Sequence, residues 1–373
     1  MTIPKSAVAL AATTLFVASC SGGGEATITE PSTTTAPPTT IPPPTTSTTT
    51  TSTSTTSTTV PVTTTTLPAV IRQPLTGEPL DDESGIIQRP ALAVKIDNHR
   101  DSRRNHTGLA VADIVFEEKV EGGLTRFAAV FHSRDADPIG PIRSGRSQDV
   151  ALLSSMNRPL FAWSGGNAGV TRLIRDSFLT DLNWQRNSGS YYRGSGGAPH
   201  NLYSNSEALY RLTPDDHPGP PTTQFAYLRD GEVFAGEPAT EVDLRIGDID
   251  IEWNWNADSG RYERSQEGSR HNDSTYGGID ADNIVVLVVD YRPSQIDSRS
   301  PEAQTIGDGP VYVFSNGQVV TGRWSRELEV FATNLVDDAG QPIALSPGQT
   351  WIELAEAIPS GDEANPDVNL LFS

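Results

Sequence analysis

Two glutamates near one apolar stretch carry the first possible chemistry. Glu117 and Glu121 are an even number apart, so on one strand their side chains share a face, and Asp97 ends a strand that could lie alongside. Two carboxylates held roughly 5 to 9.5 Å apart are what glycoside hydrolysis needs, one as the acid and the other as base or nucleophile. Glu117 and Glu121 are therefore the candidate catalytic pair. Arg143 and Arg146, in Gly140-Pro141-Ile142-Arg143-Ser144-Gly145-Arg146, offer planar guanidinium groups that can hold an anionic sugar or a peptide carboxylate through two parallel hydrogen bonds. His200 could carry a proton near neutral pH. Asp97, Asn98, Arg126, Ser144 and Asn201 complete the candidate ligand-binding set. A structural reading stands beside each of these. Glu121 next to two glycines suits a solvated turn, Arg126 and Arg143 suit ion pairs with Asp97, Glu117 or Asp113 at strand ends, and His200 within Pro-His-Asn suits a backbone-bonded turn.

Other chemistries have less support. Ser144 and Ser147 sit in no nucleophile-elbow pattern, and no Ser-x-x-Lys surrounds them. Metal ligation through Asp97, His99 and His200, or through His271 and Asp273, lacks a diagnostic spacing, so neither metal nor cofactor is expected. Gly165-Gly166 lacks a phosphate-loop lysine and reads as a turn. Trp253, Trp255, Trp324 and Trp351 could stack on sugars, but at strand spacing they read as core.

Placing these side chains takes strand ends and glycine-bearing turns. Ala91 to Ile96 reads as a strand ended by Asp97-Asn98-His99. Ala112 to Val120 and Leu124 to His132 form a hairpin around Glu121-Gly122-Gly123, with Phe127, Ala129 and Phe131 on one face. Gln148 to Met156 and Ala168 to Phe178 carry helix spacing. After Pro218-Gly219-Pro220-Pro221, the clearest boundary, Val242 to Ile246 and Ile249 to Trp255 alternate as half-buried strands. Ile284 to Val289 is a continuous strand, Asn316-Gly317 a hairpin turn, and Trp351 to Leu354 a further strand. The predicted class is α+β with two domains, an α+β domain over 71–220 and a mostly β domain over 221–360, followed by a tail over 361–373.

The rest of the chain gives an address. Residues 1–20 have a basic start, an apolar run of about a dozen residues and a small-residue cleavage site. That run is shorter than the roughly 20 residues a membrane span requires, so it reads as a secretory signal. Residues 21–70 are dominated by Thr, Ser and Pro, which bury too little apolar surface to offset the entropy of ordering, and they read as a disordered spacer. The chain of 373 residues carries 27 Lys and Arg against 47 Asp and Glu, a net charge of -20, and one cysteine. Nucleic acid is excluded as a partner, because binding it needs Lys and Arg to neutralise phosphates.

Val17-Ala18-Ser19-Cys20 resembles the lipobox of bacterial lipoproteins, in which the cysteine carries the lipid; Cys20 is the expected lipidation site. Five pieces of the first domain follow: Ile96 to His99, Glu117 with Glu121 to Arg126, Ile139 to Arg146, Trp163 to Gly166, and Ala198 to Tyr203. In the second come Trp255, Ser259 to Arg264, Gly268 through His271-Asn272-Asp273, Gly322-Arg323-Trp324, and Leu345 to Ile352. In this order they resemble the family of bacterial cell-surface lipoproteins called YerB-like, or DUF3048, from about Pro74 to Ile358. The chain departs from the family's pattern at Trp163-Ser164, where relatives often have histidine, and at Gly197, where a basic residue is common. The resulting expectation is a cell-envelope lipoprotein on the extracytoplasmic face of the cell membrane, anchored through Cys20. Its role would be binding or accessory, toward a cell-wall glycan or peptide or another envelope protein. The alternative is a carboxylate-dependent hydrolase of peptidoglycan or envelope polysaccharide using Glu117 and Glu121. A buried, salt-bridged carboxylate pair favours binding; an open pair favours hydrolysis.

Overall fold

The computed structural model describes residues 70–373 apart from Glu363. The expected signal, Cys20 and all but the last residue of the spacer lie outside the described residues. No helix among those described is long and apolar enough to cross a membrane.

The apolar runs become strands buried on both faces. The first segment gives β1 (Leu92–Asp97), β2 (Ile114–Lys119), β3 (Thr125–Phe131), α1 (Gln148–Leu153), β4 (Leu160–Trp163), α2 (Ala168–Arg175) and β5 (Thr180–Asn183). The second gives β6 (Glu237–Pro238), β7 (Glu241–Ile246), β8 (Ile249–Asn256), β9 (Arg261–Gln266), β10 (Asn283–Val289), β11 (Gly307–Ser315), β12 (Gln318–Arg326), β13 (Asn334–Asp337), β14 (Thr350–Glu356) and β15 (Leu370–Phe372). The class is α+β, with the α-helices of the described residues in the first segment, mostly strands in the second, and a large mixed sheet.

One 11-stranded sheet runs through both segments in the order β6-β12-β11-β10-β14-β2-β3-β1-β4-β5, with β13 added to β12. β14 lies between β10 and β2 and is parallel to both. Thr350 to Ala355 is buried at every position, and such a run needs a partner on each side and a cover on each face. Strands from both segments supply the partners. Pro218 to Pro221 thus marks a bend in the chain with the sheet continuous beyond it.

The two faces are covered differently. Val115, Phe127, Ala129, Val286 and Trp351 pack against Val242, Leu244, Trp253 and Tyr262 of a second sheet of 6 strands, built on β15-β7-β8-β9. Along β7 burial alternates strictly, the outer face being polar. On the other face Ile114, Phe116, Ala128 and Val130 meet Val150, Leu152 and Leu153 of α1 and Val170 and Ile174 of α2. The helices are shorter than their spacing suggests, and Phe178, beyond the end of α2, is exposed. Trp253, Trp324 and Trp351 are core, while Trp255 is half-buried. Asn316-Gly317 makes the expected two-residue turn between β11 and β12.

Candidate functional site

Strand alternation sorts the polar residues at the ends of β1, β2 and β3 onto opposite faces of the sheet. Asp97 and Arg126 are partners in register and point to the helix side with Ala93 and Ala128. Glu117 points with Val115 and Phe127 toward the second sheet. β2 ends at Lys119, so Glu121 lies in a one-turn 3-10 segment, Glu121–Gly123, outside the strand. The two glutamates therefore do not share a face.

Glu121 opens onto a cleft of about 650 Å³ on the helix side, between the two segments. Four arginines line it: Arg143, Arg146, Arg193 and Arg299. Arg146 holds the Glu121 carboxylate through Nε at 3.0 Å and a terminal nitrogen at 2.5 Å, while Ser300 donates its hydroxyl to the other oxygen. Burial raises the Glu121 pKa, but these hydrogen bonds outweigh it and hold the carboxyl below its ordinary value. Glu121 is thus charged and occupied, a poor general acid. Arg299 pairs with Asp297 at 3.1 Å. Arg143 gives only its Nε to Asp97, at 3.2 Å.

Two arginines here, the cleft residue Arg193 and the buried Arg126, have no carboxylate partner among the described residues. Arg193 donates to Asn201 at 2.8 Å and lies over the Trp184 ring at 4.8 Å. Arg126 donates to the Ser144 carbonyl at 2.9 Å; burial, then Arg146 and Arg143, push its pKa down to about 10. It remains a cation at neutral pH. His200 donates Nδ1–H to Asp97 at 2.5 Å and stacks on His99, ring centres 4.5 Å apart. Asn201 also donates to the carbonyls of Gly194 and Gly196, which shapes the turn bearing Arg193.

Glu117 is fully buried on the opposite face. It is bonded by Arg264 of β9, by Thr125 Oγ1 at 2.6 Å and by Asn98 Nδ2 at 3.3 Å. Asn98 exchanges two hydrogen bonds of 3.0 Å with Gln266. Glu353 stands opposite Glu117 in register on β14, also buried. Burial, and then the Glu117 charge, push its pKa well up, and it accepts from Trp253 Nε1 at 3.1 Å. The pair is sealed between two sheets and meets no solvent.

Two family models match the chain, one after the other. Residues 75–218 match the N-terminal domain of a protein of unknown function, DUF3048, and residues 242–352 match its C-terminal domain. The chain belongs to the DUF3048 family. It is 27% identical over 305 residues to a Bacillus subtilis (strain 168) protein named "Putative lipoprotein YerB", covering 79% of this chain and 88% of that one. The crystal structure of the B. subtilis YerB protein superposes with a TM-score of 0.68 at 23% identity, over 81% of this chain and 99% of that one, which shows a shared fold.

Of the motif residues, Arg143, Ser144 and Arg146 line the cleft, while Asp97, bonded to Arg143 and His200, and Arg126, bonded to the Ser144 carbonyl, lie behind them. Asn98 and Glu117 go to the buried network, and Glu121 is the only one of the two glutamates at the cleft. Sequence reasoning missed Arg193, Trp184, Arg299 and Ser300. Trp184, Arg299 and Ser300 lie in loops and Arg193 in a two-residue strand, none with apolar periodicity, and they reach the site only by long-range folding.

The turn carrying Glu121 is pinned by a close approach. Gly123, at φ +70°, accepts from the backbone N–H of Asp248 at 2.7 Å, and a Cβ there would fall 2.0 Å from the Asp248 carboxylate. Gly122, at φ +69°, faces open space. Gly122→Ala is expected to cost about 1–2 kcal/mol through backbone strain alone. Gly123→Ala should cost clearly more, and comparison of urea midpoints checks the order.

Proposed function

We propose that this protein is a lipid-anchored binding protein of the cell envelope whose cleft holds an anionic wall component, such as a carboxylate- or phosphate-bearing glycan or a peptide carboxylate. The observation that carries this reading is the concentration of guanidinium groups at one cleft in a chain of net charge -20. Arg143 and Arg193 keep donors unengaged by carboxylates, and planar forks of this kind suit bidentate contact with carboxylate or phosphate. Trp184, stacked under Arg193, offers a flat face beside the charge. A hydrolytic reading needs two carboxylates facing one substrate, whereas Glu117 is buried and Glu121 is tied to Arg146. The lipobox at Cys20 and the lipoprotein name of the B. subtilis relative support anchoring on the outer side of the membrane.

Co-sedimentation of the purified full chain with cell-wall sacculi tests the proposal. Binding is expected to intact sacculi, to fall with added salt, and to be lost after acid extraction of the anionic polymers. Arg143→Ala and Arg193→Ala should each weaken it at least fivefold, since a charged hydrogen bond is worth about 1.5–3 kcal/mol. Equal binding to stripped sacculi would overturn the anionic ligand. Release of soluble fragments, abolished by Glu121→Gln, would instead establish the hydrolase.

A further inference from the structure

A second site lies beside the cleft, and it is built from residues the anion-binding reading does not use. His99 and Asp101, in the turn after β1, face His200 from the Pro-His-Asn turn. One ring nitrogen of each histidine and one oxygen of Asp101 lie within 4.8 Å of one another. The imidazoles are nearly parallel, at 20°, with centres 4.5 Å apart, so one ring must turn for the in-plane lone pairs of both to meet at one ion.

The hydrogen bonding at His200 gives this cluster its chemical direction. The Asp97 carboxylate can only accept, so the 2.5 Å contact fixes the proton on Nδ1 and leaves the Nε2 lone pair free. Asp97 is in turn held by the Arg143 Nε and by the backbone N–H of His99, at 3.2 Å each, and is nearly inaccessible. A buried carboxylate orienting one imidazole nitrogen so that the other points outward is the outer-sphere arrangement that metal-binding histidines use. Asp101 is exposed, and its carboxylate lies 3.5 Å from His99 Nδ1. The backbone of the turn is fixed by Ser102 N–H donating to the His99 carbonyl at 2.8 Å.

We propose that His99, Asp101 and His200 bind a divalent transition-metal ion of the zinc class, with Asp97 as the orienting group. Two imidazoles and one carboxylate form a borderline donor set that suits zinc, cobalt or nickel, whereas magnesium and calcium take oxygen donors. Three protein ligands leave a coordination position for water or for an anionic oxygen. Because Asp97 bonds both His200 and the cleft residue Arg143, the ion sits at the cleft's rim.

The test is cobalt(II) and zinc(II) titration of the full chain, prepared without a histidine tag and freed of metal by a chelator. One cobalt per chain is expected, with the intense visible bands of four-coordinate cobalt, displaced by zinc. His99→Ala and His200→Ala should each weaken binding tenfold or more, and His217→Ala, outside the cluster, should leave it unchanged. Asp101→Asn changes an exposed side chain and keeps the fold, so its expected several-fold weakening does not depend on the histidine variants remaining folded. Stoichiometric binding that survives His99→Ala, His200→Ala and Asp101→Asn would overturn the proposal. So would a wild-type dissociation constant above about 1 mM.

Discussion

Arg264→Met is expected to destabilise the protein by about 3–5 kcal/mol, a large part of the roughly 5–15 kcal/mol that holds a typical domain folded. Arg264 is fully buried. It donates to Glu117, to Gln266 at 2.9 Å and to His271 Nδ1 at 2.7 Å, and it lies among the rings of Trp351, Phe127 and Trp253. Its Nε is 4.0 Å from Glu353. Arg264 is the cation that pairs with the buried Glu117 carboxylate. Methionine fills similar volume but leaves the Glu117 charge unpaired in the interior.

The companion variants make this specific. Glu117→Gln should cost less than Arg264→Met, because the carboxyl of Glu353, 4.0 Å from Arg264 Nε, remains to pair with Arg264 and loses the Glu117 charge that pushes its pKa up. The double variant Arg264→Met, Glu117→Gln should be more stable than Arg264→Met alone. Urea midpoints for the set check this, and a loss below about 1 kcal/mol for Arg264→Met would show that the charge is compensated elsewhere. The same logic reinterprets Glu117→Gln in any activity assay: loss there would report folding.

The strands were legible because the apolar runs are long and either continuous or strictly alternating, as in Asn283–Val289 and Glu241–Ile246. The pairing of β14 with β2 was not, since parallel partners as far apart along the chain as Thr350 and Ile114 leave no local signal; the bond from Gln349 to the Ala112 carbonyl spans 237 residues. Asp97, Arg126, Arg143 and His200 were readable as a group because they sit at strand ends and in glycine-bearing turns. The even spacing of Glu117 and Glu121 misled because spacing implies a shared face only while the strand continues, and β2 stops at Lys119. Arg264, quoted only as part of a motif, becomes the central cation of the interior because two sheets close over it.

Acid is expected to destabilise the protein through histidines buried in neutral form. Arg264 donates to His271 Nδ1, so His271 must carry its proton on Nε2, from which it donates to His106 Nδ1 at 2.8 Å; His106 then donates Nε2–H to the Asp97 carbonyl at 2.6 Å. Each ring has one donor and one acceptor, both used, and a second proton on either would place two donors face to face. Burial, reinforced by Arg264, lowers the pKa of His106 from 6.5 to about 4 and that of His271 well below 6.5. His132 is likewise lowered to about 4 by burial. A histidine with a depressed folded pKa contributes stability that is present above 6.5 and lost as pH falls toward the folded value. Between pH 7.5 and 5 His106 and His132 should therefore each remove about 2 kcal/mol, and His271 should act in the same direction. Glu118 works in the opposite sense. Burial and the nearby Asp149 charge raise it to about 7, despite Lys95, so its contribution is present at low pH and is lost as pH rises from about 4.5 to 7. The double variant His106→Asn, His271→Gln isolates the histidine part, because it removes their uptake of protons on unfolding while leaving Glu118 in place. Its stability should fall by at least about 2 kcal/mol less than that of the wild type over the same interval, the part due to His106 alone. Ring proton resonances give an independent reading: those of His106 and His271 should stay at their neutral positions down to pH 5, and a midpoint near 6.5 for either would break the chain of donors that joins the two segments.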